Sequence, residues 1–192
     1  MNALDVVKGL VKMLAHFSIQ QPSFAIAPQL QEQAWTCSRT HSTQWAQWNG
    51  YINRICLQSV LPWLQTEINS QAALSFQDWE HINGSAISLG QKQLILVPDL
   101  SIDRSEIRVP QFWIDDENHA GDYYFAIQVD PDDAWIQIWG YATHHQLKAI
   151  GEYDACDRCY CLPSEALILD STVFQVVQRL CPNEPTRFVE TN

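Results

Sequence analysis

The chain has 192 residues, of which 46% are hydrophobic and 17% are charged. These values predict one folded domain and exclude a disordered or collagen-like chain, because a single domain usually holds about 100–200 residues. The formal net charge of -11 argues against a nucleic-acid partner, since affinity for phosphates comes from lysine and arginine. The same charge favours a basic partner.

The sequence shows no run of about 18 apolar residues, so no transmembrane segment is predicted. Its six cysteines are too few for a small secreted domain that depends on disulfides. Both observations favour a reduced, cytoplasmic location.

Residues 1–22 predict an amphipathic helical extension ahead of the domain. Apolar side chains recur at every third or fourth position, while Lys8, Lys12 and His16 fall on the opposite face. The favoured interpretation is a helix that docks on its own domain. A helix that lies on a membrane surface is the alternative.

Residues 23–70 form the helical part of the predicted domain. A short strand is expected at Phe24–Ala27, and the Pro28 that follows it suits the first position of a helix. That helix is expected to end near Arg39.

The second helix of this part is the longest one predicted. Thr43 can cap its start, and its apolar stripe begins with Trp45 and Trp48. Pro62 removes a backbone donor and crowds the preceding turn, so the helix is expected to end or kink near Leu61.

Residues 71–182 form the β-rich part of the predicted domain. Ser85–Leu89 and Gln93–Val97 predict one hairpin, and Asp122–Val129 and Ala134–Tyr141 predict a second. Short loops favour antiparallel pairing, because parallel neighbours need a crossover of a dozen residues or more.

Short helices are expected at the end of the chain. Thr143 can cap a helix that closes at Gly151, and Val173–Leu180 predicts the last helix. Residues 183–192 are polar and predict a flexible tail. The predicted fold class is α+β: a single domain at 23–182 in which N-terminal helices pack on a mostly antiparallel sheet or small β-barrel.

The second hairpin carries more apolar bulk than one side of a sheet needs. Alternation along its strands places Tyr124, Trp135, Trp139 and Tyr141 on one face. Large aromatic side chains dominate the energetics of protein interfaces, so these four residues are the predicted partner-binding surface. The alternative is that the N-terminal helices cover them.

A second hypothesis is a small-molecule binding protein or enzyme that uses His144 and His145. Carboxylates and one histidine in nearby turns could assist them: Asp115, Asp116, Glu117, His119, Asp130, Asp132 and Asp133. The sequence lacks the nucleophile-elbow, zinc-protease and phosphate-loop motifs, so a non-enzymatic protein without a cofactor is favoured.

A third hypothesis is a zinc-stabilised domain through Cys156, Cys159 and Cys161. Thiolates two or three residues apart can converge on zinc. No second pair of ligands is apparent, and alternation in a strand explains the spacing of Cys159 and Cys161 equally well. No metal ligand is therefore assigned.

Several segments together resemble the DUF1822 family of uncharacterised cyanobacterial proteins, from about Phe24 to Pro182. The matching words are Trp48-x-x-Tyr51-Ile52-Asn53-Arg54, Trp79-Glu80-x-Ile82-Asn83-Gly84, Arg108-Val109-Pro110-Gln111, Asp122-Tyr123-Tyr124 and Trp139-Gly140-Tyr141-Ala142-Thr143-His144. The resemblance implies a cytoplasmic bacterial protein without an assigned active site. It also implies a regulatory partner, a sigma factor being the candidate, because family members are often encoded near alternative sigma factors. The function expected is therefore a protein-protein interaction or regulatory module.

Overall fold

The computed structural model describes residues 21–68, 72–76, 82–101, 103 and 105–169. The predicted leading helix up to residue 20, the predicted helix at Val173–Leu180 and the tail at 183–192 lie outside the described residues. Within the described ranges, no helix is long and apolar enough to span a membrane.

The described part of the chain contains the α-helices α1 (Pro28–Ser38), α2 (Gln44–Trp63), α3 (Phe112–Asp115) and α4 (His144–Ile150). The Thr43 hydroxyl accepts a hydrogen bond from the Ala46 N–H at 3.1 Å, which satisfies one of the unpaired donors at the start of α2. Thr143 and Gln146 form a capping box at the start of α4. The predicted starts of α1, α2 and α4 are confirmed.

The helix α2 ends at Trp63, two residues beyond Leu61, near which an end or a kink was predicted. The helix continues through Pro62 to Trp63, and a π-helical turn follows at Leu64–Ile68. Pro62 lies in the last turn of the helix, where its missing N–H removes only one bond. Beyond Pro62 the helix continues as a wider π-helical turn, and the Leu64 N–H still bonds to the carbonyls of Val60 and Leu61 in α2.

The strands of the described residues form two sheets. They are β1 (Ser23–Ala25), β2 (Ala73–Phe76), β3 (Ser85–Leu89), β4 (Lys92–Asp99), β5 (Glu106–Pro110), β6 (Tyr123–Asp130), β7 (Trp135–Thr143), β8 (Glu152–Asp154) and β9 (Cys159–Pro163). The main sheet has the order β1-β7-β6-β4-β3-β2, and the small sheet has the order β5-β9-β8. The two predicted hairpins are confirmed as β3–β4 and β6–β7.

The main sheet is mixed, because β4 and β6 pair in parallel. The connection from β4 to β6 runs through residues 100–122 and carries β5 and α3, so it is long enough to bring the chain back to the same end of the sheet. The short loops within the two hairpins predicted antiparallel pairing, and this crossover was not predicted from the sequence.

The main sheet is curled and packs on both faces. A first core lies between the sheet and the helices α1 and α2, and it includes Ile55, Val60 and Phe125. A second core lies between the sheet and the layer made by the small sheet, α3 and α4, and Trp113 is fully buried there. The architecture is α+β, as predicted, with a helical layer on one side and a mixed layer on the other.

Candidate functional site

The predicted partner-binding residues of the β6–β7 hairpin lie mostly inside the protein. Tyr124 is 0% exposed, Trp139 is 5% exposed and Tyr141 is 3% exposed, while Trp135 at the start of β7 is half-buried. Tyr124 and Trp139 pack in the second core. The small sheet and the helices α3 and α4 cover the face that holds Tyr124 and Trp139, which the N-terminal helices were expected either to cover or to leave exposed. The hairpin therefore has no free aromatic face.

A β-bulge in β7 explains why strand alternation misassigned Tyr141. Ala126 pairs with Gly140, but the next residue of β6 pairs with Ile138, so Trp139 is an extra residue without an opposite partner. Beyond the bulge the two faces exchange. Tyr141 consequently points into the first core and stacks on a phenylalanine of β6, with ring centroids 5.2 Å apart.

The exposed tryptophans of the described residues lie instead on the helical layer. Trp45 is 60% exposed and Trp48 is 43% exposed, both in the first turns of α2, and Trp35 on α1 is 41% exposed. The buried face of α2 runs through residues such as Ala46 and Asn53, which leaves Trp45 and Trp48 at its margin. Two indoles are therefore presented to solvent by a helix whose opposite face is fixed in the core.

Buried asparagines of α2 hold the loop that faces these tryptophans. The Asn53 side chain donates to the Ile82 carbonyl at 3.1 Å and accepts from the Gly84 N–H at 2.8 Å. Asn49 donates to the same Ile82 carbonyl at 3.2 Å. Because buried polar groups need such partners, this network fixes the distance between α2 and the loop at residues 82–84.

The other side of this loop is held by β4 and α3. Asn83 donates to the Pro98 carbonyl at 2.9 Å and accepts from the Trp113 indole N–H at 2.8 Å. Gly84 has a φ of 120°, and a Cβ there would lie 2.9 Å from the Leu96 carbonyl oxygen. Only glycine fits this backbone conformation and this space without strain.

A groove opens between the first turn of α2 and this fixed loop, and we call it the tryptophan groove. Its two lobes share Trp45 and Asn83. The apolar lobe has a volume of about 280 Å³ and is lined by Trp48, Ile52 and Leu100 among others. The acidic lobe has a volume of about 660 Å³ and continues along α3 and the β8–β9 turn.

A family model matches most of the chain. The model of the family described as "Protein of unknown function (DUF1822)" matches residues 24–192. The chain belongs to the DUF1822 family. No curated protein and no solved structure matches it. The match extends through residues 183–192, beyond the end near Pro182 that the sequence motifs indicated. In this DUF1822 protein, the motif residues Asn53, Asn83 and Gly84 hold the loop of the tryptophan groove.

Carboxylates outnumber cations among the residues that line the acidic lobe. Asp115, Asp116 and Asp157 line it together with one guanidinium, that of Arg158. The hydrogen bond from Lys148 lowers the pKa of Asp115, and the backbone N–H of Asn118 lowers the pKa of Asp116. These carboxylates are therefore ionised at neutral pH.

Arg108 contacts Asp157 of the acidic lobe without itself lining the lobe, and acidic groups surround it. Its guanidinium contacts Asp154 and Asp157 at 2.8 Å each and Glu106 at 3.2 Å. One positive charge thus faces three negative ones, so the cluster keeps a negative charge. Hydrogen bonds from backbone N–H groups of the β8–β9 turn also lower the pKa of Asp154.

The two histidines of the alternative hypothesis, a small-molecule binding protein or enzyme, line a separate, open pocket of about 580 Å³, which we call the histidine pocket. His144 is half-buried with its Nδ1 3.1 Å from the Tyr124 hydroxyl, and His145 is exposed. The turn carboxylates do not join them. Asp130, Asp132 and Asp133 lie at the opposite end of the β6–β7 hairpin.

The carboxylates that follow α3 are also separate from these histidines. Asp115 instead contacts Lys148 and the Tyr160 hydroxyl, and Asp116 pairs with His119 at 3.2 Å. Burial raises the pKa of Tyr124, which keeps its hydroxyl protonated. The turn carboxylates that the second hypothesis named therefore do not line the histidine pocket, whereas Asp122 does.

The three cysteines of the alternative zinc hypothesis do not converge on one point. Cys159 and Cys161 lie side by side on β9 with their sulfurs 3.7 Å apart, whereas Cys156 is exposed in the preceding turn. Arg108 approaches the Cys159 sulfur at 3.5 Å, which places a cation where a metal would bind. No three histidine, cysteine or carboxylate side chains gather around a metal position among the residues that the structure describes.

Sequence reasoning placed Trp45 and Trp48 on the apolar stripe of α2 and so missed the groove. One signal was available. Asn49, Gly50 and Asn53 interrupt that stripe, and such residues on a helix indicate close approach or hydrogen bonding to a neighbouring segment. In the structure Asn49 and Asn53 bond the loop at residues 82–84, and Gly50 lies against His41.

Proposed function

We propose that this DUF1822 protein is a non-enzymatic interaction module that docks a basic segment of a partner protein in the tryptophan groove. The observation that carries the proposal is the 60% exposure of Trp45 at a groove whose walls are the fixed loop at residues 82–84 and the carboxylates of the acidic lobe. Tryptophan is the residue type most enriched at the centres of protein interfaces, where its ring gives a large contact area at a small cost in conformational entropy.

The groove suits docking because its walls are fixed before a partner arrives. Asn53 and Trp113 hold the loop at residues 82–84 from two sides, and α2 is anchored in the first core. A preformed site loses less conformational entropy on binding than a flexible one.

Charge supports a basic partner. Among the described residues that line the two lobes, the carboxylates are Asp99, Asp115, Asp116 and Asp157, against the single cation Arg158. Two of these carboxylates also pair with cations outside the lining, Asp115 with Lys148 and Asp157 with Arg108. Asp99 and Asp116 have no lysine or arginine partner among the residues that the structure describes. Lysine or arginine side chains of a partner would be attracted to this wall and could also lie on the face of an indole. A nucleic acid would be repelled by it.

The sharper form of the proposal is that the partner is a sigma factor in the cytoplasm, and that docking regulates it. This form rests on the family resemblance and on the charge of the groove. Helical regulatory proteins that bind nucleic acid carry basic segments, and one of these would be the docked element.

Binding of synthetic peptides tests the proposal. The full chain is titrated with lysine- and arginine-rich peptides that contain apolar residues, and with acidic peptides of the same apolar content. We expect binding of the basic set only. The Trp45→Ala variant should weaken it by about tenfold or more, which is the loss seen for a central interface residue.

Trp35→Ala is the control, because Trp35 is, like Trp45, an exposed tryptophan of the helical layer, but it lines neither lobe. This control should bind the basic peptides like the parent. Binding of acidic peptides, or an equal loss in Trp35→Ala and Trp45→Ala, would contradict the proposal.

A second candidate function is binding of a small molecule in the histidine pocket. It is favoured by the volume of about 580 Å³ and by the presence of His144 and Lys148 at its wall. Thermal stabilisation by a panel of small anions and metabolite-like compounds tests it. A ligand whose effect is lost in His145→Ala would support this function, and an unresponsive parent protein would oppose it.

A further inference from the structure

The two lobes of the tryptophan groove differ in chemistry although they share a wall. Trp45 and Asn83 line both lobes. On one side of that wall the lining combines Ile52 and Leu100 with one carboxylate, that of Asp99, and on the other side it carries three carboxylates and a guanidinium. An occupant that spans the groove therefore meets two different environments within a short distance.

The apolar lobe has room for one large side chain. Its volume of about 280 Å³ exceeds the roughly 150 Å³ of an engineered cavity that holds benzene. It lies below the range of about 300–1,000 Å³ that is usual for pockets that enclose a drug-sized ligand. Leu100 and Trp48 are both exposed at this lobe, so they have apolar area that an entering side chain would cover.

The acidic lobe is suited to a long cationic side chain. Its volume of about 660 Å³ accepts an extended lysine or arginine, and Asp115 and Asp116 at the end of α3 supply carboxylates at its wall. Trp45 adds an indole face on which the aliphatic stem or the charge of that side chain can rest.

We propose that the groove recognises a two-part motif in one extended segment: a large apolar side chain in the apolar lobe and a lysine or arginine in the acidic lobe. The inference rests on the proposed docking function and specifies its partner. The two positions are expected one to three residues apart, because one indole separates the lobes and an extended chain advances about 3.3 Å per residue.

A peptide series tests the motif against the intact chain. The parent peptide carries one leucine or tryptophan and one lysine at the expected spacing within a serine-rich, mildly basic background. Three relatives replace the apolar residue by serine, replace the lysine by glutamine, or keep both residues eight positions apart. We expect each change to weaken binding by about tenfold, because each empties one lobe.

Two variants of the protein assign each half of the motif to its lobe. Leu100→Asp should abolish the advantage of the apolar residue and leave the preference for lysine intact. Asp116→Lys should remove the charge preference, because the acidic lobe is then lined by equal numbers of carboxylates and cations, so that glutamate and lysine peptides bind about equally. Both side chains lie at the rim of the groove, and neither substitution removes a core contact.

The outcomes separate the inference from the proposed function. If the four peptides bind within about twofold of one another and Trp45→Ala still weakens all of them, the groove docks basic segments but reads no motif, and the inference is wrong. If no basic peptide binds, or Trp45→Ala has no effect, the docking function itself is wrong.

Discussion

Two aromatic regions of this DUF1822 protein differ in their exposure to solvent. On the β6–β7 hairpin, Tyr124, Trp139 and Tyr141 are buried because the chain covers both faces of the main sheet. On α2, Trp45 and Trp48 are exposed because the helix buries a neighbouring face that includes Asn53. Aromatic content alone therefore does not mark an interaction surface. An aromatic face stays exposed only where the chain supplies no second layer to cover it.

The largest expected effect is the loss of a buried indole. Trp139→Ala should lower the free energy of unfolding by about 3–5 kcal/mol, because the substitution leaves a cavity in the second core. Urea denaturation measures this, with the half-buried Trp135→Ala as the control that should cost less. A loss below about 1 kcal/mol for Trp139→Ala would mean that the hairpin face is not covered as described.

The next effect concerns the loop that shapes the tryptophan groove. Asn53→Ala should lower the free energy of unfolding by about 1–3 kcal/mol, because the Gly84 N–H is left buried without its acceptor. Gln58→Ala, on the exposed side of the same helix, is the control and should stay within about 0.5 kcal/mol of the parent. Equal stability of the two variants in urea would contradict the described hydrogen bonds.

A smaller effect is expected at the wall of the acidic lobe. Asp115→Asn removes the ion pair with Lys148, and since both side chains are partly exposed the loss should stay below about 1 kcal/mol at neutral pH. The pKa of Asp115 is lowered in the fold, so its contribution is present above the unfolded-state pKa and disappears as the pH falls through the folded-state pKa. The parent and the variant should therefore become equally stable in acid. A difference that grows on acidification would contradict this ion pair.

The smallest effect on stability is expected at Trp45 itself. Trp45→Ala should change the free energy of unfolding by no more than about 0.5 kcal/mol, because the side chain is mostly in solvent. Paired with Trp139→Ala in the same urea experiment, it sharpens the contrast between the two aromatic regions. A loss as large as that of Trp139→Ala would assign Trp45 to the core and remove the basis for docking.

Much of the fold could be predicted from local signals. Thr43 and Thr143 mark helix starts because their hydroxyls accept hydrogen bonds from free backbone donors. The Asp130 turn marks the β6–β7 hairpin because its side chain bonds the following backbone N–H groups. These devices act within a few residues, so the sequence alone reveals them.

The rest depends on contacts between distant segments. The parallel pairing of β4 with β6 is set by the packing of the crossover through residues 100–122, and neither strand encodes it. The bulge at Trp139 reverses the alternation of β7 beyond that residue. For the candidate site, the groove beside Trp45 requires the bond from Asn53 to the loop at residues 82–84, which lies about 30 positions along the chain.

The most direct test of docking in the tryptophan groove is a nuclear magnetic resonance titration that follows the indole N–H signals of the eight tryptophans. Each signal is assigned with a single Trp→Phe variant, and the full chain is titrated with the parent lysine-containing peptide. The account predicts that the signals of Trp45 and Trp48 shift while those of Trp113 and Trp139 stay in place. Shifts confined to other tryptophans, or no shift at saturating peptide, would contradict it.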